Sequence, residues 1–288
     1  MISRCKFILC LPILFIIISQ NKVQSRTILT INNYKKLQRP FNNSVSAVFV
    51  FGDSTVDSGN NNYISTVAKC DFPPYGRDFP NHIPTGRFTN GRLVTDYLGT
   101  NDFAVNYFNT PFRRQMYYKV SAYQQFLLQL VQQFIQGLMN EGARVIGIAG
   151  VPPFGCLPVV ITIDSGDALP PRRQCVETYS AVAREYNLLL QRLLKTMQIH
   201  GIKLFYVDIY NPLNDMIQNP IKYGFTEVTM GCCGSGLIEA SILCNPKSIV
   251  CNDPSNHMFW DSVHPSQATY YTVFQTLIPT IDFAIKQL

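Results

Sequence analysis

Two long stretches beyond residue 120 carry apolar residues at helical spacing, and a short apolar run follows each. Between Tyr123 and Met139 the apolar positions are Phe126, Leu127, Leu130, Val131, Phe134, Ile135, Leu138 and Met139, with Gly142 just beyond. That spacing predicts a helix with one buried face, stopped at the glycine. The run "RVIGIAGVPP" (144–153) then reads as a strand entering a proline-rich turn. The pattern repeats with Tyr179, Val182, Ala183, Tyr186, Leu189, Leu190, Leu193 and Met197, a stop near Gly201, and "IKLFYVDIY" (202–210). A last helix begins near Ser266, its apolar face interrupted by Pro279. Upstream, "SVSAVFVFGDS" (44–54) suits a buried central strand. Long helices alternating with short apolar strands predict βαβ units and a mostly parallel sheet covered on both faces. In such sheets ligands bind beyond the carboxyl ends of the strands, and Ser54 follows its strand at that end.

With 288 residues, 47% of them hydrophobic and 15% charged, the chain has apolar material for one large globular domain, here assigned to residues 45–288. Ahead of it, residues 26–44 are a polar leader. "MISRCKFILCLPILFIIISQNKVQS" (1–25) sets Arg4 and Lys6 before an apolar run from Phe7 to Ile18, and Val23-Gln24-Ser25 suits a signal peptidase. That run holds Pro12 and is shorter than the ~20 apolar residues of a spanning helix, so a cleaved secretory leader is expected rather than stable membrane insertion. Asn42-Asn43-Ser44 is a sequon, placing a glycan at Asn42.

The net charge of +6 is scattered, with short pairs only at Arg113-Arg114 and Arg172-Arg173, which argues against a nucleic-acid partner. Beyond Cys5 and Cys10 of the leader stand seven cysteines: Cys70, Cys156, Cys175, Cys232, Cys233, Cys244 and Cys251. In an oxidising compartment they form disulfides and leave at least one over. Adjacent Cys232 and Cys233 lack the spacing of zinc ligands, so no metal is expected.

A serine hydroxyl needs a base, usually an imidazole oriented by a carboxylate. Of the four histidines, His82 sits in the proline-rich loop and His200 at a helix end. His264 lies three residues after Asp261 in "FWDSVHPSQ", so one turn could carry both groups and face Ser54. On spacing alone the same pattern is equally a helix start, and His257 is a rival base.

Six motifs decide more. "FVFGDSTVDSGNNN", "FPPYGRDF", "PTGRFTNGR", "GTNDF", "GVPPFGCLP" and "FWDSVHPS" occur in the order found in plant GDSL-type esterases and lipases of the SGNH hydrolase superfamily, which the chain resembles from about Ala47 onward. The resemblance implies a flavodoxin-like three-layer α/β/α domain and a secreted serine hydrolase acting on lipid or other small-molecule carboxylic esters without a cofactor. It implies Ser54 as nucleophile, His264 as general base and Asp261 as its orienting carboxylate. Asn101 matches the oxyanion-hole asparagine, donating alongside the Ser54 backbone N–H.

Relatives also carry, between "NGR" and "GTNDF", a block with an oxyanion-hole glycine and an apolar strand leading into "GTND". Here only Leu93 to Leu98 separate the motifs. A βαβ unit takes roughly 30 residues, so the domain is expected to lack one or more central β/α elements. Losing an oxyanion donor costs about a hundred- to a thousand-fold in turnover. Two alternatives to the hydrolase therefore stand: an acyltransferase, and an impaired or inactive extracellular protein that either binds acyl ligands or is a non-functional splice product.

Overall fold

The computed structural model describes residues 15–19, 47–93, 120–164 and 173–286. The elements run β1 (Phe15–Ser19), β2 (Ala47–Phe51), α1 (Val120–Asn140), β3 (Val145–Ala149), α2 (Pro158–Asp164) and α3 (Glu177–Thr196). They continue through β4 (Lys203–Val207), α4 (Tyr210–Gln218), β5 (Glu227–Gly231), β6 (His257–Phe259) and α5 (Gln267–Lys286). A four-stranded sheet has the order β2-β1-β3-β4, and β5 pairs with β6 in a second sheet.

The central βαβ unit forms where the periodicity placed it. In α1, Tyr123, Leu127, Val131 and Ile135 recur every fourth residue and are all buried, giving one apolar stripe toward the core. The helix ends as its glycine predicts. Gly142, at φ 96°, lets Ala143 N donate to Leu138 O at 2.9 Å while Gly142 N donates to Met139 O at 3.0 Å, a Schellman closure. Every residue of β3 is buried, and β3 pairs in parallel with β4 from Val145↔Lys203 to Ala149↔Val207, with α3 as the crossover. Gly147 is required here because a Cβ would meet the Phe205 ring at 2.6 Å. Beyond β3, buried Asn187 of α3 clamps Val151, accepting its N–H at 2.8 Å and donating to its carbonyl at 2.9 Å.

The four-stranded sheet departs from the expected pattern at its other side. Phe15–Ser19, inside the segment expected as a cleaved leader, lies between β2 and β3 and runs antiparallel to both. Among the described strands β2 is therefore an edge rather than a central strand. Phe49 and Phe51 on it are 42% and 41% exposed, Phe51 meeting the Phe134 ring of α1 edge-on at 5.8 Å between centroids. The α/β class holds, while only one of the three pairings in this sheet is parallel. Pro279 does not end the last helix, since α5 continues through it to Lys286.

Among the described residues three disulfides pair Cys156 with Cys175, Cys232 with Cys251 and Cys233 with Cys244, and Cys70 remains a buried thiol. The four C-terminal cysteines are thus cross-links. The latter two bridges pack with Cys70, Tyr75, Phe88 and Trp260 in an apolar cluster apart from the main core. Arg173 fastens β5 to α2 by donating to Thr229 O at 2.7 Å and Pro158 O at 3.1 Å. Among the described residues no helix is long and apolar enough to cross a membrane. Asn42, Asn101 and the junction after Leu93 lie outside the described residues.

Candidate active site

The end of β2 delivers Ser54 into a tight turn. The Asp53 carbonyl accepts from Val56 N at 3.0 Å and Asp57 N at 2.9 Å, so the chain coils immediately after the strand. Asp53 Oδ1 also accepts from the N–H and the hydroxyl of Thr55, at 2.7 and 2.8 Å. These bonds fix the backbone on both sides of Ser54 and leave its hydroxyl at the mouth of a cleft of about 700 Å³. Phe51, Val56, Phe88 and Val263 give that cleft apolar wall, and Asn60 and Asn61 give it polar edge.

The partner comes from the other end of the chain. After β6, Asp261 accepts on Oδ1 from Val263 N at 2.9 Å and His264 N at 2.7 Å, closing a turn that the Trp260 N–H ties to His264 O at 2.8 Å. The "TNGR" motif clamps this turn against α5. Thr89 Oγ1 donates to Pro265 O at 3.0 Å, and Asn90 Oδ1 accepts from Gln267 N at 2.9 Å.

Held in this way, His264 Nδ1 lies 2.7 Å from Asp261 Oδ2, and its Nε2 lies 2.9 Å from Ser54 Oγ. An ionised carboxylate only accepts, so Nδ1 carries the proton and Nε2 presents its lone pair to the serine hydroxyl. Asp261 is fully buried and His264 is 5% exposed, while Ser54 is half-buried at the cleft. Phe88 covers the imidazole face with ring centroids 5.0 Å apart. The sequence left the Asp261–His264 spacing open, and the structure sets both residues in one turn with the imidazole beside Ser54. His82 and His200 are exposed, and His257 Nδ1 contacts Asn256 Oδ1 and Asp253 O, so none of the three replaces His264 at Ser54.

The electrostatics around this chain are unusual. Asp53 Oδ2 is enclosed and has no hydrogen-bond partner among the described residues, and desolvation raises the carboxyl pKa to about 6 against the lowering by the Thr55 bonds and by His264. Burial also pushes the Cys70 thiol and the Tyr75 and Tyr270 phenols up, with the nearby carboxylates adding to it, so all three stay protonated. Among the described residues no cluster of His, Cys, Asp and Glu could hold a metal.

Four contributors were not singled out in the sequence. Tyr75 donates to Asp261 Oδ2 at 2.7 Å, Phe88 packs on His264, Ser241 N donates to Tyr75 OH at 2.7 Å, and Gly231 lies against the Asp261 backbone. Tyr75 and Phe88 stand inside "FPPYGRDF" and "PTGRFTNGR", in the long irregular loop whose length already signalled function.

The model of the GDSL-like lipase/acylhydrolase family matches residues 72–277. An Arabidopsis thaliana GDSL esterase/lipase is 44% identical over 328 aligned positions, covering 83% of this chain and 87% of that protein. A second from the same plant is 35% identical over 335 positions, covering 85% and 90%, and a third is 33% identical, covering 82% and 89%. The serine, imidazole and carboxylate that the fold draws together from residues 54, 264 and 261 therefore sit in a chain that belongs to the GDSL-like lipase/acylhydrolase family.

Proposed function

We propose that the protein is a secreted carboxylic ester hydrolase that works through an acyl-enzyme on Ser54. The observation that carries this reading is the continuous chain from Ser54 Oγ through His264 to the buried Asp261 carboxylate. Ser54 Oγ attacks the acyl carbon while His264 Nε2 takes its proton, and Asp261 stabilises the imidazolium through Nδ1–H. The Ser54 backbone N–H and the Asn101 side-chain amide stabilise the tetrahedral oxyanion. The leaving alcohol departs with the proton from His264. Water, deprotonated by the same imidazole, then attacks the acyl carbon and releases the carboxylic acid and Ser54. The apolar wall of the cleft favours an acyl chain beside the reacting carbon.

Three disulfides support passage through an oxidising compartment, and with it cleavage of the leader and a glycan at Asn42. The single domain is taken to run over residues 45–288.

A second reading, of a strongly impaired enzyme or an acyl-chain binder, is favoured by one observation. The 328-position match to the first relative uses 83% of 288 residues, about 239, so 328 less 239 leaves about 89 positions opposite gaps in this chain. A gap of that size supports the loss of a block between Leu93 and Leu98 that carries the glycine donor. Turnover of a short p-nitrophenyl ester and labelling by a fluorophosphonate separate the readings. Labelling of the wild type, abolished in Ser54→Ala and His264→Ala, is expected for the hydrolase. A folded wild type that neither labels nor exceeds Ser54→Ala in turnover overturns it. Transfer of the acyl group to an added alcohol faster than to water would identify an acyltransferase.

A further inference from the structure

The Asp261 carboxylate has a second polar partner, and that partner arrives from a distant loop. Tyr75 is 1% exposed, and its hydroxyl lies 2.7 Å from Asp261 Oδ2, the same oxygen that faces His264 Nδ1 at 2.7 Å. The direction of the bond is fixed by what else the phenol meets. Ser241 N donates to the Tyr75 oxygen at 2.7 Å, which occupies an acceptor site, and an ionised carboxylate can only accept. Cys70 also meets the phenol through its thiol, but sulfur is a weak acceptor beside a carboxylate oxygen, so the single phenolic proton points at Oδ2. Edge-to-face contacts with Phe72, Phe88 and Trp260 hold the ring at 5.9 to 6.4 Å between centroids. Phe88 also covers the His264 ring, so one apolar wall serves both ends of the pair.

We infer that Tyr75 is a positioning residue for catalysis, whose hydroxyl fixes the orientation of the Asp261 carboxylate and sets how much negative charge it presents to His264. The inference deepens the triad reading above and rests on it. It adds to that reading a hydrogen-bonded line running from the disulfide-bonded 232–251 segment through Ser241 N–H and Tyr75 O–H to Asp261, His264 and Ser54. With the Tyr75 proton on Oδ2, part of the carboxylate charge is already shared. Removing that proton donor concentrates charge on the oxygen next to Nδ1–H and frees the carboxylate to turn.

The test uses the secreted protein in three forms: wild type, Tyr75→Phe, and the protein with 3-fluorotyrosine incorporated at position 75. Phe keeps the buried ring and removes only the hydroxyl, whereas the fluorinated phenol keeps the bond and makes it a stronger donor. Hydrogen bonds to charged groups of this kind correspond to about a tenfold to hundredfold effect, expected in kcat with KM unchanged. The acid limb of kcat/KM against pH is expected to move to higher pH in Tyr75→Phe and to lower pH with fluorotyrosine. Asp53, Asp57, Cys70 and Tyr270, the other titratable groups coupled to this site, are the same in all three forms. A purely structural role would not shift the two forms in opposite senses.

A second readout does not need turnover. The Nδ1 proton shared with Asp261 should give a low-field NMR resonance, assigned by its loss in His264→Ala. It should move further downfield in Tyr75→Phe and upfield with fluorotyrosine. Opposite movements support the inference even if the wild type turns over no faster than Ser54→Ala, an outcome that overturns the hydrolase reading alone. A resonance that stays in place in both forms overturns the role of Tyr75, whatever the activity. If Tyr75→Phe does not fold, the fluorotyrosine form decides.

Discussion

Gly231 lies against the backbone of Asp261 so closely that a methyl group on it would meet the Asp261 carbonyl carbon and oxygen at 2.6 Å. The contact exists because β5 ends where the chain leaving β6 turns toward His264, and Gly231 N is itself held by Gly236 O at 2.9 Å. The obstacle is backbone, so it cannot swing aside as a side chain would.

Gly231→Ala is therefore expected to reduce activity more than stability. Overpacking of this kind costs about 1–3 kcal/mol, a melting-temperature loss of several degrees. A displacement of the Asp261 backbone by a fraction of an ångström carries the carboxylate away from His264, and a misplacement of ~1 Å can cost about a hundredfold in rate. Kinetics and thermal unfolding of the same preparation check this. An alanine variant with wild-type kcat would mean that Asp261 tolerates the shift.

Asp53 makes stability depend on pH. Its pKa is raised to about 6 by desolvation, above the ordinary value of 3.8, so the folded protein holds that proton more tightly than the unfolded chain. The stabilising contribution is full below about pH 4 and is lost as pH rises through about 6. Above pH 6 the fold carries an ionised, poorly solvated carboxylate at a cost on the order of 2–3 kcal/mol. Asp53→Asn keeps an oxygen for the Thr55 bonds and carries no charge. It is expected to melt several degrees above the wild type at pH 7.5, with the difference shrinking toward pH 4. Equal melting temperatures across that range would show that the carboxylate is better solvated than its enclosed Oδ2 implies.

How far these features could be read in advance depends on whether they are local. The α1–β3–α3–β4 order was legible because periodicity and terminal glycines act within a few residues, as Gly142 shows. Ser54, Asp261 and His264 were singled out through motifs, and the structure brings the three side chains into one line of contacts, with Asp261 and His264 in a single turn. The Tyr75–Asp261 bond joins residues 186 apart, and the Gly231–Asp261 contact depends on how two short strands meet. No local rule encodes either. β1 defeated sequence reading for another reason. A short apolar run satisfies both a signal peptidase and a sheet, and pattern alone does not choose.

That choice has consequences for the mature protein. Cleavage after Ser25 is expected to give a secreted chain beginning at Arg26, with a glycan at Asn42, both read by intact-mass and peptide mapping. It would also remove β1 from between β2 and β3, leaving both strands with an unpaired edge. Exposed apolar edges template association, so the chain lacking residues 1–25 is expected to aggregate at lower temperature than the chain retaining them. A secreted protein whose mass includes Phe15–Ser19 would instead make β1 part of the working sheet.

The disulfides near the site should govern activity as well as stability. Cys233–Cys244 closes the segment that holds Ser241, whose N–H fixes the Tyr75 hydroxyl, and Cys232–Cys251 ties the same segment beside β5. Removing a native disulfide typically costs 2–5 kcal/mol, and here the loosened segment also leads directly to Asp261. Replacing Cys233 and Cys244 together by Ser is expected to lower both the melting temperature and kcat. The Cys156–Cys175 bridge fastens the start of α2, whose Val159 N donates to Ser262 O at 3.0 Å, a bond to the backbone of the turn, and among the described residues it makes no contact with Ser241, Tyr75 or the Asp261 carboxylate. Its double-Ser variant is expected to lose stability while keeping kcat at temperatures where it stays folded. Throughout, Cys70 is expected to resist alkylation until the protein unfolds, because it is completely buried and burial holds it as the thiol. Equal kcat losses from both pairs of substitutions would show that the bridges act on the fold alone and not through Ser241 and Tyr75.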